Sequence, residues 1–429
     1  MKIKLISTAS QKEGANYLIR SAKSYGWDLE IITGNWNGLG CKENWTVEYL
    51  KNNPDISHFV FTDAFDTFCT GEFNRLADIL KKNNWTDKMV ISAEKGYYPD
   101  TGKRHLYPEH SSPFKYVNAG QFFCQSKLFI ELLEANPIPN NDINDQLWMT
   151  ELFLNNPDKC VLDYNCEIFQ SVAFSHPSEF KTFPLLVHGN GGTDLTPYKH
   201  LAINPYNISG TWENTEDSHR FFNDVFVAKT NHNTKLKELR DWVEPNIFGF
   251  GERAFYSMFA SLINEQTKDI LEIGVFKGQT LALFRMLSPN ANITGITPLD
   301  TTGNYWDSNY QKDIETIHNQ FNLKQPVIIR GLSTNPDVIQ EASKKEYDLI
   351  YIDGDHSYNG VKQDLINYSK LVKLGGYLVL DDCATHYNMP DGMFRGHEET
   401  TKAVNENINT EQFKELFSVV HIRVFQKVK

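Results

Sequence analysis

Two stretches of this sequence run apolar and then stop abruptly in carboxylates. The first is His58-Phe59-Val60-Phe61-Thr62, followed by Asp63 and, three residues on, Asp66. The second is Asp348-Leu349-Ile350-Tyr351-Ile352, followed by Asp353, Asp355 and His356, and it is backed by Leu378-Val379-Leu380-Asp381-Asp382. Short apolar runs of this kind read as buried strands. Acids at their ends put charge at the carboxyl edge of a sheet, where open α/β folds bind ligands. Two such edges imply two sheets and two candidate sites.

The length of 429 residues agrees with that reading. It exceeds one ordinary core and fits two domains of about 200 residues each. In the first half, strand-like Lys4–Thr8, Leu29–Thr33, His58–Thr62 and Met89–Ala93 alternate with helical patterns at Ala15–Tyr25 and Trp45–Lys51, which predicts an α/β sandwich with a largely parallel sheet. Between 197 and 241 the pattern weakens into polar residues. The chain is therefore divided into a first domain over 1–215, a linker over 216–240 and a second domain over 241–429. The second half restarts the rhythm at Asp269–Ile273, with strands at Asn292–Ile296, Pro326–Ile329, Tyr347–Ile352 and Tyr377–Leu380, and a helix read over Val361–Leu374.

Lys and Arg number 42 against 54 Asp and Glu, a formal net charge of −12. That balance disfavours nucleic-acid backbones, which call for a basic face. No apolar run reaches the roughly 18 residues of a membrane span. Met1–Thr8 reads as a first strand rather than a signal peptide. Six cysteines without CxxC spacing indicate neither a zinc site nor a disulfide framework, so reduced thiols in a cytoplasmic protein are expected. Oligomeric state is not legible.

Asp63 and Asp66 could bind Mn²⁺ or Mg²⁺, and such an ion neutralises a nucleoside diphosphate leaving group. Alone, the pair reads by default as a plain turn with solvated acids. Three further segments accompany it: Tyr116-Val117-Asn118-Ala119-Gly120-Gln121-Phe122-Phe123, read as a small-residue turn between aromatic runs; Asn144-Asp145-Gln146-Leu147-Trp148, a helix opened by an acid that could simply cap it; and Leu185-Leu186-Val187-His188-Gly189-Asn190-Gly191. With Ser92-Ala93-Glu94 and Leu162–Gln170, these resemble the glycosyltransferase domain of the multifunctional lysyl hydroxylases and collagen glycosyltransferases over about 1–200.

The resemblance implies a GT-A nucleotide-sugar-binding fold that uses a UDP-sugar with Mn²⁺. It places Asp63, Asp66 and His188 as metal ligands, Phe65 stacked on the uracil, and Asn118 and Asp145 at sugar-contacting or catalytic positions. A late histidine joining two early aspartates makes a mixed N/O set that suits Mn²⁺. The chain departs from the family where Asn144, not an acid, precedes Asp145.

In the second half, Asp269-Ile270-Leu271-Glu272-Ile273-Gly274-Val275-Phe276-Lys277-Gly278 reads as strand, glycine turn and helix start, a geometry that lets backbone approach a ligand. Together with Ile352-Asp353-Gly354-Asp355-His356 and Asp381-Asp382, it resembles the Rossmann-like class I S-adenosylmethionine-dependent sugar and small-molecule O-methyltransferases over about 245–425. That resemblance implies Glu272, Gly274 and Gly278 beside the cofactor, Asp353, Asp381 and Asp382 around Mg²⁺ or a similar ion, and His356 as general base. Thr297 stands where such enzymes often carry a ribose-binding acid, leaving Asp300 as a substitute.

The expectation is a bifunctional enzyme that transfers a sugar and O-methylates a sugar hydroxyl, acting on a nucleotide sugar and a glycan acceptor. The alternative is a methyltransferase whose first domain only binds carbohydrate.

Overall fold

The computed structural model describes residues 2–175, 180, 182–203, 216–247, 253–299, 310–386 and 394–429. The chain forms two compact units, Met1–Asn207 and Ile208–Lys429.

The first unit runs β1 (Ile3–Ala9), α1 (Asn16–Ser24), β2 (Leu29–Thr33), α2 (Cys41–Asn52), β3 (His58–Thr62), β4 (Thr67–Cys69), α3 (Arg75–Asn83), β5 (Met89–Glu94), β6 (Tyr116–Gln125), α4 (Ser126–Ala135), α5 (Asp145–Asn155), β7 (Cys160–Leu162), β8 (Phe169–Ser171) and β9 (Leu186–His188). Its main sheet has the order β2-β1-β3-β6-β5-β7, and a small second sheet has the order β4-β9-β8. Every residue of β3 and β5 is buried, as their continuous apolar runs require of central strands. Phe59 meets Phe129 at 5.1 Å between ring centroids, and Phe61 stacks on Phe122 at 5.1 Å.

This sheet is mixed rather than largely parallel. β1 pairs parallel with β2 and β3, and β5 with β7, but β6 runs antiparallel to both β3 and β5. The small residues at 118–121 do not turn the chain back. Instead, the register against β5 jumps from Ile91↔Phe122 to Ser92↔Asn118. The extra residues form a bulge of the kind that re-aims side chains beside functional sites.

The second unit runs α6 (Glu216–His232), α7 (Thr234–Asn246), α8 (Arg253–Leu262), β10 (Asp269–Ile273), α9 (Gln279–Leu287), β11 (Asn292–Thr297), α10 (Tyr310–Gln320), β12 (Val327–Arg330), α11 (Pro336–Ala342), β13 (Tyr347–Ile352), α12 (Tyr358–Tyr368), β14 (Val372–Leu380), α13 (Glu398–Asn407), β15 (Phe413–Val419) and β16 (Ile422–Lys427). The sheet order is β12-β11-β10-β13-β14-β16-β15. β12 through β14 pair in parallel, and β16 is antiparallel to β14 and β15. Chain order reverses at β10, with β11 on one side and β13 on the other. Ligands of doubly wound sheets bind at such a point.

Two stretches differ from the sequence reading. Residues 216–240, read as a linker, are helical from Glu216 to His232 and from Thr234 onward. Phe222 stacks on Phe417 of β15 at 4.8 Å, Phe226 lies 5.7 Å from the same ring, and the Thr230 hydroxyl donates to the Arg253 carbonyl at 2.7 Å. The polar residues in this segment are the outer faces of amphipathic helices. Phe222→Ala is expected to destabilise the second unit by about 3–5 kcal/mol, as truncation of a buried aromatic does, read as a lower denaturant midpoint. The helix read over Val361–Leu374 ends at Tyr368, because Val372 already pairs with Tyr347 and Lys373 reaches Asp348 at 3.0 Å, recruiting the segment into the sheet.

Among the described residues no helix is long and apolar enough to cross a membrane. The six cysteines are all buried and none is bonded to another.

Candidate active sites

In the first unit, β3 delivers Asp63 to the sheet edge, where its backbone N–H donates to the Gly120 carbonyl at 2.9 Å. The short strand β4 pairs with β9 so that Thr67 faces His188, and the Gly189 N–H donates to the Asp66 carbonyl at 2.7 Å. These pairings bring a residue far along the chain onto two early aspartates. His188 is buried, with Nε2 3.6 Å from Asp63 Oδ2 and 3.4 Å from Asp66 Oδ2. Its Nδ1 lies 2.9 Å from Asn118 Oδ1, which accepts a hydrogen bond in the tautomer that leaves Nε2 bare toward the aspartates.

Atoms bound to one ion at about 2.1 Å stand roughly 3–3.5 Å apart. The two distances from His188 are close to that spacing, and one ligand atom from each of Asp63, Asp66 and His188 lies within 4.8 Å of the others, so the three fit a divalent cation with mixed N/O preference. Burial alone would raise Asp66 and lower His188. Their mutual attraction wins, holding the carboxyl below and the imidazole above their ordinary values.

The bulge supplies the clearance. A Cβ on Gly120 would lie 2.2 Å from His188 Cε1 and 2.8 Å from Asp63 Oδ2. Gly120→Ala is therefore expected to displace His188, at an overpacking cost of about 1–3 kcal/mol, and to weaken Mn²⁺ binding at this site. Titration with Mn²⁺ alongside thermal unfolding separates the two effects.

Asp145 does not cap its helix. Asn144 does, its side chain accepting from the Leu147 N–H at 2.9 Å. Asp145 instead receives the Lys42 ammonium at 2.9 Å, and the same ammonium lies 2.7 Å from Asp63 Oδ1. Burial would lower Lys42, but the two carboxylates outweigh it and hold the ammonium protonated. Glu94 accepts from Gln146 at 2.9 Å and from Asn190 at 2.5 Å, and burial pushes it up to about 7. Phe65 is 52% exposed, its ring seated over Gly14, whose added Cβ would come within 3.3 Å. It offers a free aromatic face beside Asp66. Lys42, Gln146 and Asn190 were not singled out from sequence.

In the second unit, the ends of β10, β13 and β14 meet. The Asp353 N–H donates to the Ile273 carbonyl at 2.8 Å, and the Asp381 N–H to the Ile352 carbonyl at 3.0 Å. Gly274 adopts φ +94° against the Asp353 carbonyl, where a Cβ would lie 1.8 Å away, so only glycine fits. Gly278, at φ +81°, opens α9. Glu272 is buried with Oε2 lacking a partner, and burial, then Asp353 and Asp381, drive it well above the usual carboxylate range. Asp300 lies outside the described residues.

His356 Nε2 stands 3.4 Å from both Asp353 Oδ1 and Asp382 Oδ2. Its hydrogen bond to Asp353 raises it to about 9, against the opposing effect of burial. Asp353 is pushed to about 7 by burial and then by Asp381. Against burial, Asp381 is held below the ordinary carboxylate range: Oδ1 meets His421 Nδ1 at 2.6 Å and the Asp382 N–H at 2.8 Å, and Oδ2 accepts from the Tyr351 hydroxyl. His421 also reaches Asp382 Oδ1 at 2.9 Å, and the two carboxylates hold it near 10 against burial. Among the described residues, ligand-type atoms cluster here as His356–Asp382–His397 and as Asp381–Asp382–His421. Asp381 and Asp382 fall in these clusters and Asp353 does not, standing instead beside His356; His397 and His421, which the sequence did not single out, complete them. This carboxylate and imidazole set fits a divalent cation.

Each of the two α/β units gathers carboxylates and imidazole where strands end, and the first is similar to a glycosyltransferase domain, the second to a methyltransferase domain. The PLOD GT domain family matches residues 1–216, and a methyltransferase domain family matches residues 271–383. The chain belongs to the PLOD GT domain family. It is 25% identical over 283 residues to an uncharacterised protein of Acanthamoeba polyphaga mimivirus, covering 61% of this chain and 60% of that protein. It is 29% identical over 204 residues to procollagen-lysine,2-oxoglutarate 5-dioxygenase 1 of Pongo abelii, covering 42% and 27% respectively. The chain thus spans less than two thirds of the length of these relatives. The O-methyltransferase from Bacillus cereus, solved with S-adenosylhomocysteine, matches at 16% identity and a TM-score of 0.33, covering 46% of this chain and 91% of that one.

Proposed function

We propose that the chain is a bifunctional glycan-building enzyme. The first unit transfers a sugar from a UDP-sugar donor with Mn²⁺, and the second O-methylates a sugar hydroxyl from S-adenosylmethionine with a divalent ion. The observation that carries this reading is the paired spacing. In each unit an imidazole Nε2 stands 3.4–3.6 Å from carboxylate oxygens at a sheet edge.

In the first unit, Asp63, Asp66 and His188 would hold the ion, which when bound neutralises the leaving diphosphate. Phe65 stacks the base with its exposed ring. Lys42 holds the Asp145 carboxylate in place at the start of α5, ready to orient the sugar. In the second unit, Asp353 and Asp382 would hold the ion, which when bound polarises the acceptor hydroxyl. Asp381, clamped by Tyr351 and His421, positions Asp382. His356, beside Asp353 and Asp382, would accept the proton of the acceptor hydroxyl. Glu272, Gly274 and Gly278 line the cofactor side.

The test is a donor screen by mass spectrometry with the full-length chain, Mn²⁺ and S-adenosylmethionine, beside calorimetry with S-adenosylhomocysteine. Addition of one sugar and one methyl group supports the proposal. If no UDP-sugar is bound or cleaved, the first unit reverts to a carbohydrate-binding role. If S-adenosylhomocysteine does not bind, the methyltransferase reading fails.

A further inference from the structure

His397 sits at the position that caps α13, yet its side chain makes no capping hydrogen bond. Caps favour Ser, Thr, Asp and Asn, whose short side chains satisfy the first turn. An imidazole there that leaves the turn uncapped has another use. It points toward Asp382, with Nε2 3.6 Å from Oδ2, the same oxygen that His356 approaches at 3.4 Å. The two rings stack at 5.0 Å between centroids with 26° between planes. A separation of 3.6 Å is too long for a hydrogen bond and close to the distance between two donors that share an ion.

The backbone commits to this arrangement. Asp382 adopts φ +51°, a conformation that costs a non-glycine residue of order 1–3 kcal/mol and clusters at functional sites. Gly396 adopts φ +93° directly against it, where a Cβ would come within 2.1 Å of the Asp382 backbone. The His397 N–H donates to the Asp382 carbonyl at 2.9 Å, and the Ala384 N–H to the Arg395 carbonyl at 3.0 Å. A later chain segment is thus stapled to the strained aspartate, with a second imidazole delivered to its Oδ2.

We propose that His397 is a ligand of the second-site ion, acting with Asp382, and that its nitrogen makes this site prefer Mn²⁺ and other transition ions over Mg²⁺. Imidazole suits first-row transition metals, whereas Mg²⁺ takes carboxylate, carbonyl and water oxygens. His356 stays alongside, within reach of the same oxygen and free to accept a proton. The inference rests on the methyltransferase reading of this unit and adds a ligand and an ion preference to it.

The test is Mn²⁺ titration of the full-length chain followed by electron paramagnetic resonance, with His188→Ala as the background that removes the first site's nitrogen ligand. That background is expected to retain one tight Mn²⁺, which Mg²⁺ displaces only in excess of at least about tenfold. Adding His397→Ala should weaken Mn²⁺ by more than about tenfold, the lower end of what even an outer-shell loss costs, and abolish the preference over Mg²⁺. S-adenosylhomocysteine binding, measured by calorimetry on the same proteins, should persist and certifies the fold. Unchanged Mn²⁺ affinity in the double variant, or no tight Mn²⁺ in the background, would overturn the inference while leaving the methyltransferase reading intact if S-adenosylhomocysteine still binds. Loss of S-adenosylhomocysteine binding by the unsubstituted chain would instead remove the reading beneath it.

Discussion

Asp66→Ala in the full-length chain is expected to cut sugar transfer by about 10²-fold or more and to leave methyl transfer within twofold. Asp66 contributes an oxygen 3.4 Å from His188 Nε2 and, through its carbonyl, anchors Gly189 at 2.7 Å. The substitution removes the carboxylate and spares the backbone contact, so β4 and β9 should stay paired. A cation at a departing diphosphate contributes several kcal/mol to the barrier, and each 1.36 kcal/mol is about a factor of ten. Rates should recover partly at high Mn²⁺, because Asp63 and His188 remain. The measurement is initial rate against Mn²⁺ concentration, with methyl transfer assayed in the same tube. A parallel fall in both activities would contradict separate sites.

The second large effect is expected at His356. Replacing it with alanine should lower methyl transfer by about 10²–10⁴-fold, the usual contribution of a positioned base, with S-adenosylhomocysteine affinity and sugar transfer unchanged. Its backbone carbonyl accepts from the Thr400 hydroxyl at 3.0 Å, a contact the substitution keeps. The pH profile gives a second readout. A rate that climbs as His356 deprotonates should become flat in the variant. If the variant keeps its slope, the proton goes elsewhere.

What could be read from the residues was what depends on short-range pattern. Central strands such as His58–Thr62 and Tyr347–Ile352 carry unbroken apolar runs, and the acids at their ends announce the sheet edges. The glycine turn at Gly274 is legible because steric exclusion leaves no other residue. Lys42 was invisible. It lies among polar neighbours at the start of α2, and nothing local connects it to Asp145, 103 positions away. His421 hides in an apolar hairpin beside Val420, whose φ of +53° turns the chain, and no motif marks it. The bulge in β6 misled because small residues signal turns and bulges alike, and only the register against β5 decides between them. The direction of β6 likewise depends on pairing partners rather than on composition.

The packing of α6 has a practical corollary for anyone dividing this polypeptide. Starting a fragment at residue 241, where the polar stretch ends, would strip Phe222 and Phe226 from the ring of Phe417 and bare an aromatic patch on the outer β15 strand. Uncovered apolar surface of that sort promotes aggregation. An expression boundary upstream of Glu216 keeps those rings covered.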